Sequence, residues 1–310
     1  MLDYKKRIAI ITPVNHLGIK DLIESKGDIT YLENSCMNEI RNVLIEKSID
    51  TIFCNPNKQD YKIDKNLLDG TNVSLVNTCS TGLSHIDLEY CKKNEIKIYS
   101  LTKDYELINE LPSTSELAFG LMLDSLRHIS KSRSHVLSYQ WDYTMFLGRQ
   151  IKDLKIGVIG FGRLGKMMFK YCKAFEADAE VYDPFVPGYD RINLVDFIKD
   201  KDVISLHVHL NEDTRNLIDR KALNNCKKSL VIINTSRGGL VDEQNVINML
   251  DKNLIGGYST DVLVNENDSI KNSKLISKMK DDPRIIITPH VGGMTIEGQT
   301  KAYKWAINKL

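Results

Sequence analysis

Short apolar runs alternate with amphipathic stretches along most of the 310-residue chain. Runs such as Arg7–Pro13 and Lys155–Ile159 are bounded by polar residues, which is typical of buried strands. Stretches between the runs, such as Cys36–Lys47, carry apolar residues at helical spacing. This alternation predicts an α/β fold in which parallel sheets are covered by helices.

The same pattern locates the remaining elements. Further strands are predicted at Thr30–Leu32, Asp50–Cys54, Val73–Asn77, Ile96–Ser100, Glu180–Tyr182, Val203–Leu206, Leu230–Ile233, Ile255–Ser259 and Ile285–Thr288. Helices are predicted at Lys20–Lys26, Leu88–Asn94, Leu164–Phe175, Glu243–Asp251 and Thr295–Leu310. One long helix is predicted from about Ser115 to Ser134, because Pro112 and Ser113 precede an apolar core.

Composition narrows the class of protein. Apolar residues make up 42% of the chain and charged residues 27%, and the net charge is +1. This balance gives no electrostatic reason to expect nucleic acid or a membrane as a partner, and no apolar run approaches the length of a membrane span. The six cysteines form no CxxC pair, which favours free thiols in a reducing compartment. We therefore expect a soluble, cytoplasmic protein without a metal site.

A glycine-rich loop follows the strand at Lys155–Ile159. Gly160, Gly162 and Gly165 have the spacing GxGxxG, and an amphipathic helix follows them. The first glycine permits a tight turn, the second lets the backbone approach a pyrophosphate, and the third lets helix and strand pack closely. The free N–H groups at the helix N-terminus favour phosphate binding.

Asp183 ends the next predicted strand and complements the loop. A carboxylate there accepts hydrogen bonds from ribose hydroxyls and repels a 2′-phosphate, so NAD is favoured over NADP. On its own, Asp183 could equally be a turn residue before Pro184. A methyltransferase that binds S-adenosylmethionine could use the same loop, and only the residues downstream argue against it.

Three polar residues follow successive strands downstream. Arg237, Glu266 and His290 can converge, because ligand sites in open α/β sheets lie at the carboxyl ends of strands. A guanidinium can hold the carboxylate of a 2-keto acid by paired hydrogen bonds. Histidine can donate a proton to the oxyanion that hydride transfer leaves, and a neighbouring carboxylate favours the protonated ring.

Each of these residues also has an ordinary structural interpretation. Arg237 could be a surface residue, Glu266 a solvated glutamate and His290 a turn histidine after a proline. Their order after a dinucleotide loop favours catalysis. His207 and Thr214, near another strand end, are interpreted as contacts on the cofactor side.

The sequence resembles the D-isomer-specific 2-hydroxyacid dehydrogenases, among them phosphoglycerate dehydrogenase and glyoxylate/hydroxypyruvate reductase. The likeness extends from about Val73 to the C-terminus. It is carried by six blocks in order, IKDLKIGVIGFGRLGK, VYDP, LHVHLNEDTRNLID, INTSRGGLVDE, DVLVNE and ITPHVGG. His209, Asn267 and Ser84 depart from the residues common in the family, and Ser84 leaves the choice of substrate open.

The resemblance implies specific roles. Arg237 would bind the substrate carboxylate, and His290 would be the acid/base with Glu266 as its partner. NAD would contact Gly160, Gly162, Arg163, Leu164, Gly165, Asp183, His207, Thr214, Thr235, Asp261 and Gly292. The backbone of Thr81 and Gly82 would help to hold the substrate carboxylate.

The resemblance also implies the domain organisation. A flavodoxin-like substrate domain would comprise residues 1–103 and 291–310, and a Rossmann NAD-binding domain would comprise residues 104–290. The family further implies a homodimer that binds a small 2-keto or 2-hydroxy acid. The alternative is an NAD(H)-responsive regulatory protein of the same fold, which would bind NADH without turning over a keto acid.

Overall fold

The computed structural model describes residues 5–56, 61–189, 192–266 and 270–310. The chain forms two compact units, one of Met1–Leu111 with Met294–Leu310 and one of Pro112–Gly293. The predicted boundaries, after residues 103 and 290, lie a few residues before these. Ile108 accounts for the first difference, because it is buried in an apolar cluster of the first unit.

The first unit is built on a parallel sheet. Within the described residues its strands are β1 (Arg7–Ile10), β2 (Asp28–Tyr31), β3 (Thr51–Cys54), β4 (Leu75–Thr78) and β5 (Lys97–Tyr99). They pair in the order β2-β1-β3-β4-β5, with Ile8 opposite Ile29 on one side and Thr51 on the other. This is the strand order of flavodoxin-like folds, so the predicted fold of this domain is confirmed.

Helices cover both faces of the first sheet. They are α1 (Lys20–Glu24), α2 (Met37–Glu46), α3 (Lys65–Leu68), α4 (Leu88–Lys93), α5 (Tyr105–Asn109) and the C-terminal helix α12 (Ile296–Asn308). Alternate residues of the strands face different apolar clusters: Ile52 packs in one and Phe53 in the other. Strands buried on both faces read as continuous apolar runs, which is why the sequence pattern locates them.

The second unit contains a second parallel sheet. Its strands are β6 (Lys155–Ile159), β7 (Asp178–Tyr182), β8 (Val203–Leu206), β9 (Val231–Asn234), β10 (Gly257–Thr260) and β11 (Ile285–Ile287). The order is β11-β10-β9-β8-β6-β7, so the chain reverses direction across the sheet between β6 and β8. In doubly wound sheets such a switch point opens a crevice at the carboxyl ends of the two strands. The predicted Rossmann fold is confirmed.

One prediction for the second unit is wrong. The long helix predicted from Ser115 to Ser134 is two helices, α6 (Ser113–Arg127) and α7 (Ile129–Leu137). His128 separates them in a left-handed conformation, with φ of 57°. The carboxylate of Asp124 accepts a hydrogen bond from the N–H of Ser130 (2.7 Å), which caps the new helix and stabilises the break.

The other helices of the second unit lie between the strands. They are α8 (Arg163–Ala174), α9 (Leu194–Ile198), α10 (Glu243–Asp251) and α11 (Lys274–Met279). The last of these follows a segment of which Asn267 lies outside the described residues. In the described part of the chain, no helix is long and apolar enough to cross a membrane.

Candidate active site

The glycine-rich loop brings the ends of β6 and β8 together. Gly160 has φ of 94°, and a Cβ atom on it would lie 2.6 Å from the carbonyl oxygen of His207. A Cβ atom on Gly165 would lie 1.9 Å from the carbonyl oxygen of Gly160. A side chain at either position would therefore force the loop, the helix and the strand apart.

Gly162 begins helix α8 and faces open space. A Cβ atom there would meet nothing within 4 Å, and no described side chain caps the helix. The N–H groups of Leu164 and Gly165, in the first helical turn, are therefore left for a ligand. This geometry fits the pyrophosphate of a dinucleotide, which carries the negative charge that a helix N-terminus attracts.

Asp183 follows β7 and braces the same loop. Its carboxylate accepts hydrogen bonds from the N–H of Phe161 (2.8 Å) and of Phe185 (2.9 Å). An ionised carboxylate has about four acceptor positions, so these two bonds leave capacity for ribose hydroxyls. Asp183 therefore fits both interpretations of the sequence, because it stabilises a turn and remains able to bind a ribose.

Two buried polar atoms near the carboxyl edge of the sheet lack partners among the described residues, Thr235 Oγ1 and His207 Nδ1. Unpaired buried polar atoms are costly, and these two fit hydrogen bonds to a polar ligand bound at this edge. Burial lowers the pKa of His207 to about 4, so this imidazole is neutral near neutrality. Thr214 differs, because its Oγ1 donates to the carbonyl of His209 (2.7 Å) within its own loop.

His290 and Glu266 form a hydrogen-bonded pair after strands β11 and β10. His290 Nδ1 lies 2.9 Å from Glu266 Oε1, and the second carboxylate oxygen accepts from the N–H of Leu263 (3.3 Å). Among the described residues, nothing bonds to His290 Nε2, and 37% of the side chain is exposed. The ring is thus oriented through one nitrogen, while the other can reach a ligand.

Neighbouring groups stabilise the ionised form of Glu266. Burial tends to raise the pKa of Glu266, but the hydrogen bond from His290, the N–H of Leu263 and the charge of Arg237 together lower it below its usual value. The Arg237 guanidinium donates to the carbonyl of Ser236 (2.6 Å) and forms no ion pair with a described carboxylate. A half-buried guanidinium without a counter-ion is a ready anion receptor.

Comparison with known proteins agrees with this geometry. A family model described as D-isomer specific 2-hydroxyacid dehydrogenase, NAD binding domain, matches residues 119–292. The hydroxypyruvate reductase of Thermotoga maritima is 32% identical over 238 residues, which cover 75% of this chain and 74% of that protein. The glyoxylate reductase of Thermococcus litoralis is 30% identical over 318 residues, covering 95% and 89%.

A solved structure shows the same fold. The D-lactate dehydrogenase from Aquifex aeolicus, complexed with NAD and lactic acid, aligns with a TM-score of 0.78 at 23% identity. The alignment covers 98% of this chain and 94% of that one.

The chain belongs to the D-isomer specific 2-hydroxyacid dehydrogenase family. It is an oxidoreductase that uses NAD to interconvert a 2-hydroxy acid and a 2-keto acid.

Asp261 fixes the turn that carries the histidine of this dehydrogenase. Its carboxylate accepts from Thr288 Oγ1 (2.5 Å), the N–H of Val291 (2.8 Å) and the N–H of Gly292 (2.8 Å). Its carbonyl accepts from the N–H of His290 (2.9 Å), which holds the residue at φ of 55°. Burial raises the pKa of Asp261 in spite of these donors. Asp261, which the resemblance predicts as a cofactor contact, therefore also holds the turn at residues 288–292 in place by hydrogen bonds.

Glu243 is a residue that the sequence reasoning passed over, although it ends the block INTSRGGLVDE. Its Oε1 accepts a hydrogen bond from the N–H of Val264 (3.0 Å), inside the segment that leads to Glu266. Burial raises the pKa of Glu243, and the nearby Glu266 charge adds to the rise. Its place in the first turn of α10, beside the Asp242 cap, offered only an ordinary helix-start signal.

The remaining predicted residues, Thr81 and Gly82, lie in the first unit of the dehydrogenase, on the loop after β4. All the other predicted site residues belong to the second unit. Among the described residues of either unit, no three of His, Cys, Asp and Glu cluster as a metal ion would require.

Proposed function

We propose that the enzyme reduces a small, unphosphorylated 2-keto acid to the D-2-hydroxy acid, with Arg237, Glu266 and His290 as the catalytic residues. The observation that carries this proposal is the His290–Glu266 pair, with the charge of the Arg237 guanidinium acting on Glu266, after strands of a sheet that also carries a dinucleotide loop. Hydroxypyruvate and glyoxylate are the preferred candidates, because relatives at 32% and 30% identity are named as reductases of those acids.

Each residue has a distinct task in this proposal. Bound NADH supplies the hydride for the carbonyl carbon. Arg237 holds the substrate carboxylate by charge-assisted hydrogen bonds, which fixes the position of the neighbouring carbonyl. His290 delivers a proton from Nε2 to the carbonyl oxygen as negative charge develops there. Glu266 keeps the ring oriented through Nδ1 and stabilises its protonated form.

The same proposal assigns the cofactor and carboxylate contacts. The N–H groups of Arg163, Leu164 and Gly165 would bind the pyrophosphate, and Asp183 the ribose hydroxyls. The buried atoms His207 Nδ1 and Thr235 Oγ1, which have no partner among the described residues, support cofactor contacts at these two positions. Thr214, Asp261 and Gly292 would shape the loops around the cofactor. The backbone N–H groups of Thr81 and Gly82 would bind the substrate carboxylate.

A panel of 2-keto acids tests the function. We would follow the oxidation of NADH, with NADPH in parallel, in the presence of glyoxylate, hydroxypyruvate, pyruvate, 2-oxoglutarate and 3-phosphohydroxypyruvate. We expect turnover with one of the small unphosphorylated acids and a clear preference for NADH. Preference for NADPH would overturn the role of Asp183. Tight NADH binding without turnover of any acid would favour a regulatory protein instead.

We also propose that two copies associate through the segment 129–147. Large apolar side chains are strongly exposed along it: Ile129, Val136, Leu137, Tyr139, Trp141, Tyr143, Met145 and Leu147. Clustering of many exposed large apolar side chains along one segment is typical of a surface that contacts another chain. Sedimentation velocity should give a dimer, and the double change Trp141→Ser with Leu147→Ser should give monomers. A wild-type monomer at micromolar concentration would contradict the proposal.

The enzyme is further proposed to act in the cytoplasm. All six cysteines are free, and Cys36 is exposed, which suits a reducing compartment. Fractionation of cells should place the protein with the cytoplasmic fraction; recovery from an oxidising compartment would contradict this.

A further inference from the structure

A chain of side-chain hydrogen bonds runs beneath the loop after β4. His85 Nε2 lies 3.1 Å from Thr78 Oγ1, which lies 2.9 Å from Ser80 Oγ. Ser80 Oγ in turn donates to the carbonyl of Gly82 (2.7 Å). The chain therefore links a buried imidazole to the peptide group at the centre of the loop.

The direction of each hydrogen bond follows from counting protons. A hydroxyl carries one proton, and that of Ser80 is used at the Gly82 carbonyl. The bond between Thr78 and Ser80 must then use the proton of Thr78. Because Thr78 has no second proton to give, it accepts from His85, and this requires the tautomer of His85 with the proton on Nε2.

The surroundings of His85 keep this arrangement uncharged. The residue is 6% exposed, and burial lowers the pKa of its ring to about 4. The neighbouring thiol of Cys54, whose sulfur lies 3.7 Å from Nε2, has its pKa raised to about 12 by burial. Neither group titrates near neutrality, so the chain of bonds has one proton arrangement over the physiological range. Among the described residues, nothing bonds to His85 Nδ1.

Three consecutive carbonyl groups of the loop accept hydrogen bonds. The Ser80 carbonyl accepts from the N–H of Leu101 (3.1 Å), and the Thr81 carbonyl accepts from Thr102 Oγ1 (3.2 Å). The third, the Gly82 carbonyl, is held by the serine hydroxyl. In a trans peptide the carbonyl of one residue and the N–H of the next point in opposite directions. Each hydrogen-bonded carbonyl therefore points the N–H of the next residue away from the group that donates to that carbonyl.

Three consecutive N–H groups are affected, those of Thr81, Gly82 and Leu83. Among the described residues, none of these three donates to an acceptor. Successive backbone N–H groups without acceptors form an anion-binding surface, and a carboxylate is the anion that this enzyme's substrates carry. Two of the tied carbonyls are held by residues after β5, whereas only the serine hydroxyl holds the third.

We propose that His85, Thr78 and Ser80 act as positioning residues that fix the Gly82 peptide and so set the loop's N–H groups, with Leu83 N–H included, for the substrate carboxylate. The inference rests on the proposed role of Thr81 and Gly82. None of the three side chains needs to touch the substrate. Their effect should therefore appear in the affinity for the keto acid, while NADH binding and the proton-transfer step stay unchanged.

Ser80→Ala is the test, and Ser74→Ala is its matched control. Ser74 precedes the same strand at its other end, and among the described residues its hydroxyl bonds only to the Asp50 carbonyl (3.4 Å). We would measure KM and kcat for the preferred keto acid, the Kd for NADH, and calorimetric binding of oxamate, an unreactive mimic of a 2-keto acid. Ser80→Ala should raise KM and the oxamate Kd roughly five- to tenfold, the size of one lost hydrogen bond. Its kcat and NADH Kd should match those of Ser74→Ala.

Two substitutions at His85 distinguish the effect of losing its hydrogen bond to Thr78 from the effect of replacing the imidazole ring. Glutamine can place an amide N–H where Nε2 lies and donate to Thr78, so His85→Gln should keep KM within about twofold. Leucine cannot donate to Thr78, so His85→Leu should raise KM and the oxamate Kd as much as Ser80→Ala does. Its near-ultraviolet circular dichroism should match that of the wild type, which shows that the variant is folded. The effect should also be the same from pH 6 to pH 8.5, because the imidazole is neutral throughout.

The outcomes distinguish the inference from the function beneath it. If Ser80→Ala binds oxamate and keto acid as the wild type does, the positioning chain is wrong, while wild-type turnover keeps the proposed function. If the wild type turns over no keto acid but Ser80→Ala weakens oxamate binding, the positioning chain stands and the redox assignment fails.

Discussion

Glu266 Oε1 lies 2.9 Å from His290 Nδ1, and this contact joins two segments that follow neighbouring strands. Each partner is also held by backbone: Leu263 donates to the carboxylate, and the His290 N–H donates to the Asp261 carbonyl. The ring is therefore fixed before any substrate arrives, and only its Nε2 is left to exchange a proton. Preorganisation of this kind removes an entropic cost from the chemical step.

Replacing Glu266 with Gln tests the charge in this contact. The amide can still accept a hydrogen bond from Nδ1, but it no longer stabilises a protonated ring. We expect kcat for keto acid reduction to fall roughly 10²-fold, the lower end for losing efficient acid catalysis. The pH profile of kcat/KM should also lose its dependence on the ionisation of Glu266, whose pKa is lowered in the wild type.

Glu243→Gln is the matched control. The amide oxygen can still accept from the N–H of Val264, and only a second negative charge near Glu266 is removed. Its kcat should stay within about threefold of the wild type. If Glu266→Gln leaves both kcat and the pH profile unchanged, the carboxylate is merely structural.

Arg237→Ala should separate substrate binding from cofactor binding. Loss of charge-assisted hydrogen bonds to the substrate carboxylate should raise KM for the keto acid roughly 10²-fold. NADH affinity, read by fluorescence titration, should remain within about twofold. Arg237→Lys should recover only part of the loss, because an ammonium cannot form the paired bonds. An equal loss of affinity for the keto acid and for NADH would show that Arg237 does not bind the substrate carboxylate specifically.

Two alanine substitutions in the glycine-rich loop should have different effects: one should lower the stability of the protein, and the other should weaken NADH binding. Gly165→Ala places a Cβ atom 1.9 Å from the Gly160 carbonyl, so it should destabilise the protein by about 1–3 kcal/mol in urea unfolding. Gly162→Ala meets no described atom within 4 Å and should unfold at nearly the wild-type midpoint. Gly162→Ala should nevertheless weaken NADH binding at least tenfold, because its methyl group fills the space proposed for the pyrophosphate. Wild-type NADH affinity in this variant would place the pyrophosphate elsewhere.

Acid should destabilise the first unit through His85. Its pKa is about 4 in the folded protein against 6.5 in the unfolded chain, so the unfolded state binds the extra proton. The neutral ring therefore contributes fully above about pH 6.5, and the contribution is lost as pH falls towards 4, by up to about 3 kcal/mol.

Urea unfolding of the wild type and His85→Gln at pH 7 and pH 4.5 measures this difference. Trp305 packs in the first unit and reports its unfolding, because the other tryptophan, Trp141, is already 90% exposed. The glutamine variant should lose less stability between the two pH values. His209→Gln, which changes an exposed imidazole, should lose as much as the wild type. Equal losses in all three proteins would remove His85 as the cause.

The strands and the glycine loop could be predicted because their causes are local. Strands such as β6 and β9 are buried on both faces, so their apolar runs mark them directly: Ile232 and Ile233 lie in different clusters. The spacing of Gly160 and Gly165 reflects contacts that no other residue allows. The order of blocks also predicts Arg237, Glu266 and His290 as the catalytic residues, and of these the structure joins Glu266 and His290 by a hydrogen bond.

Features that depend on the conformation of a turn or on particular side-chain hydrogen bonds could not be predicted. The break at His128 follows from a left-handed residue and a cap by Asp124, which a helical apolar pattern does not reveal. Glu243 resembles any acidic residue in a first helical turn until its bond to Val264 is seen. The chain of bonds from His85 to Gly82 depends on the conformation of the loop after β4, which brings His85 back to Thr78.

Transfer of deuterium tests the central claim most directly. NADH carrying deuterium at the transferable position of C4 would be incubated with the preferred keto acid, and the product examined by mass spectrometry and chiral chromatography. We predict one deuterium at C2 of a D-2-hydroxy acid, with none acquired from deuterated solvent at that carbon. A product without deuterium from NADH, or one of L configuration, would contradict the account.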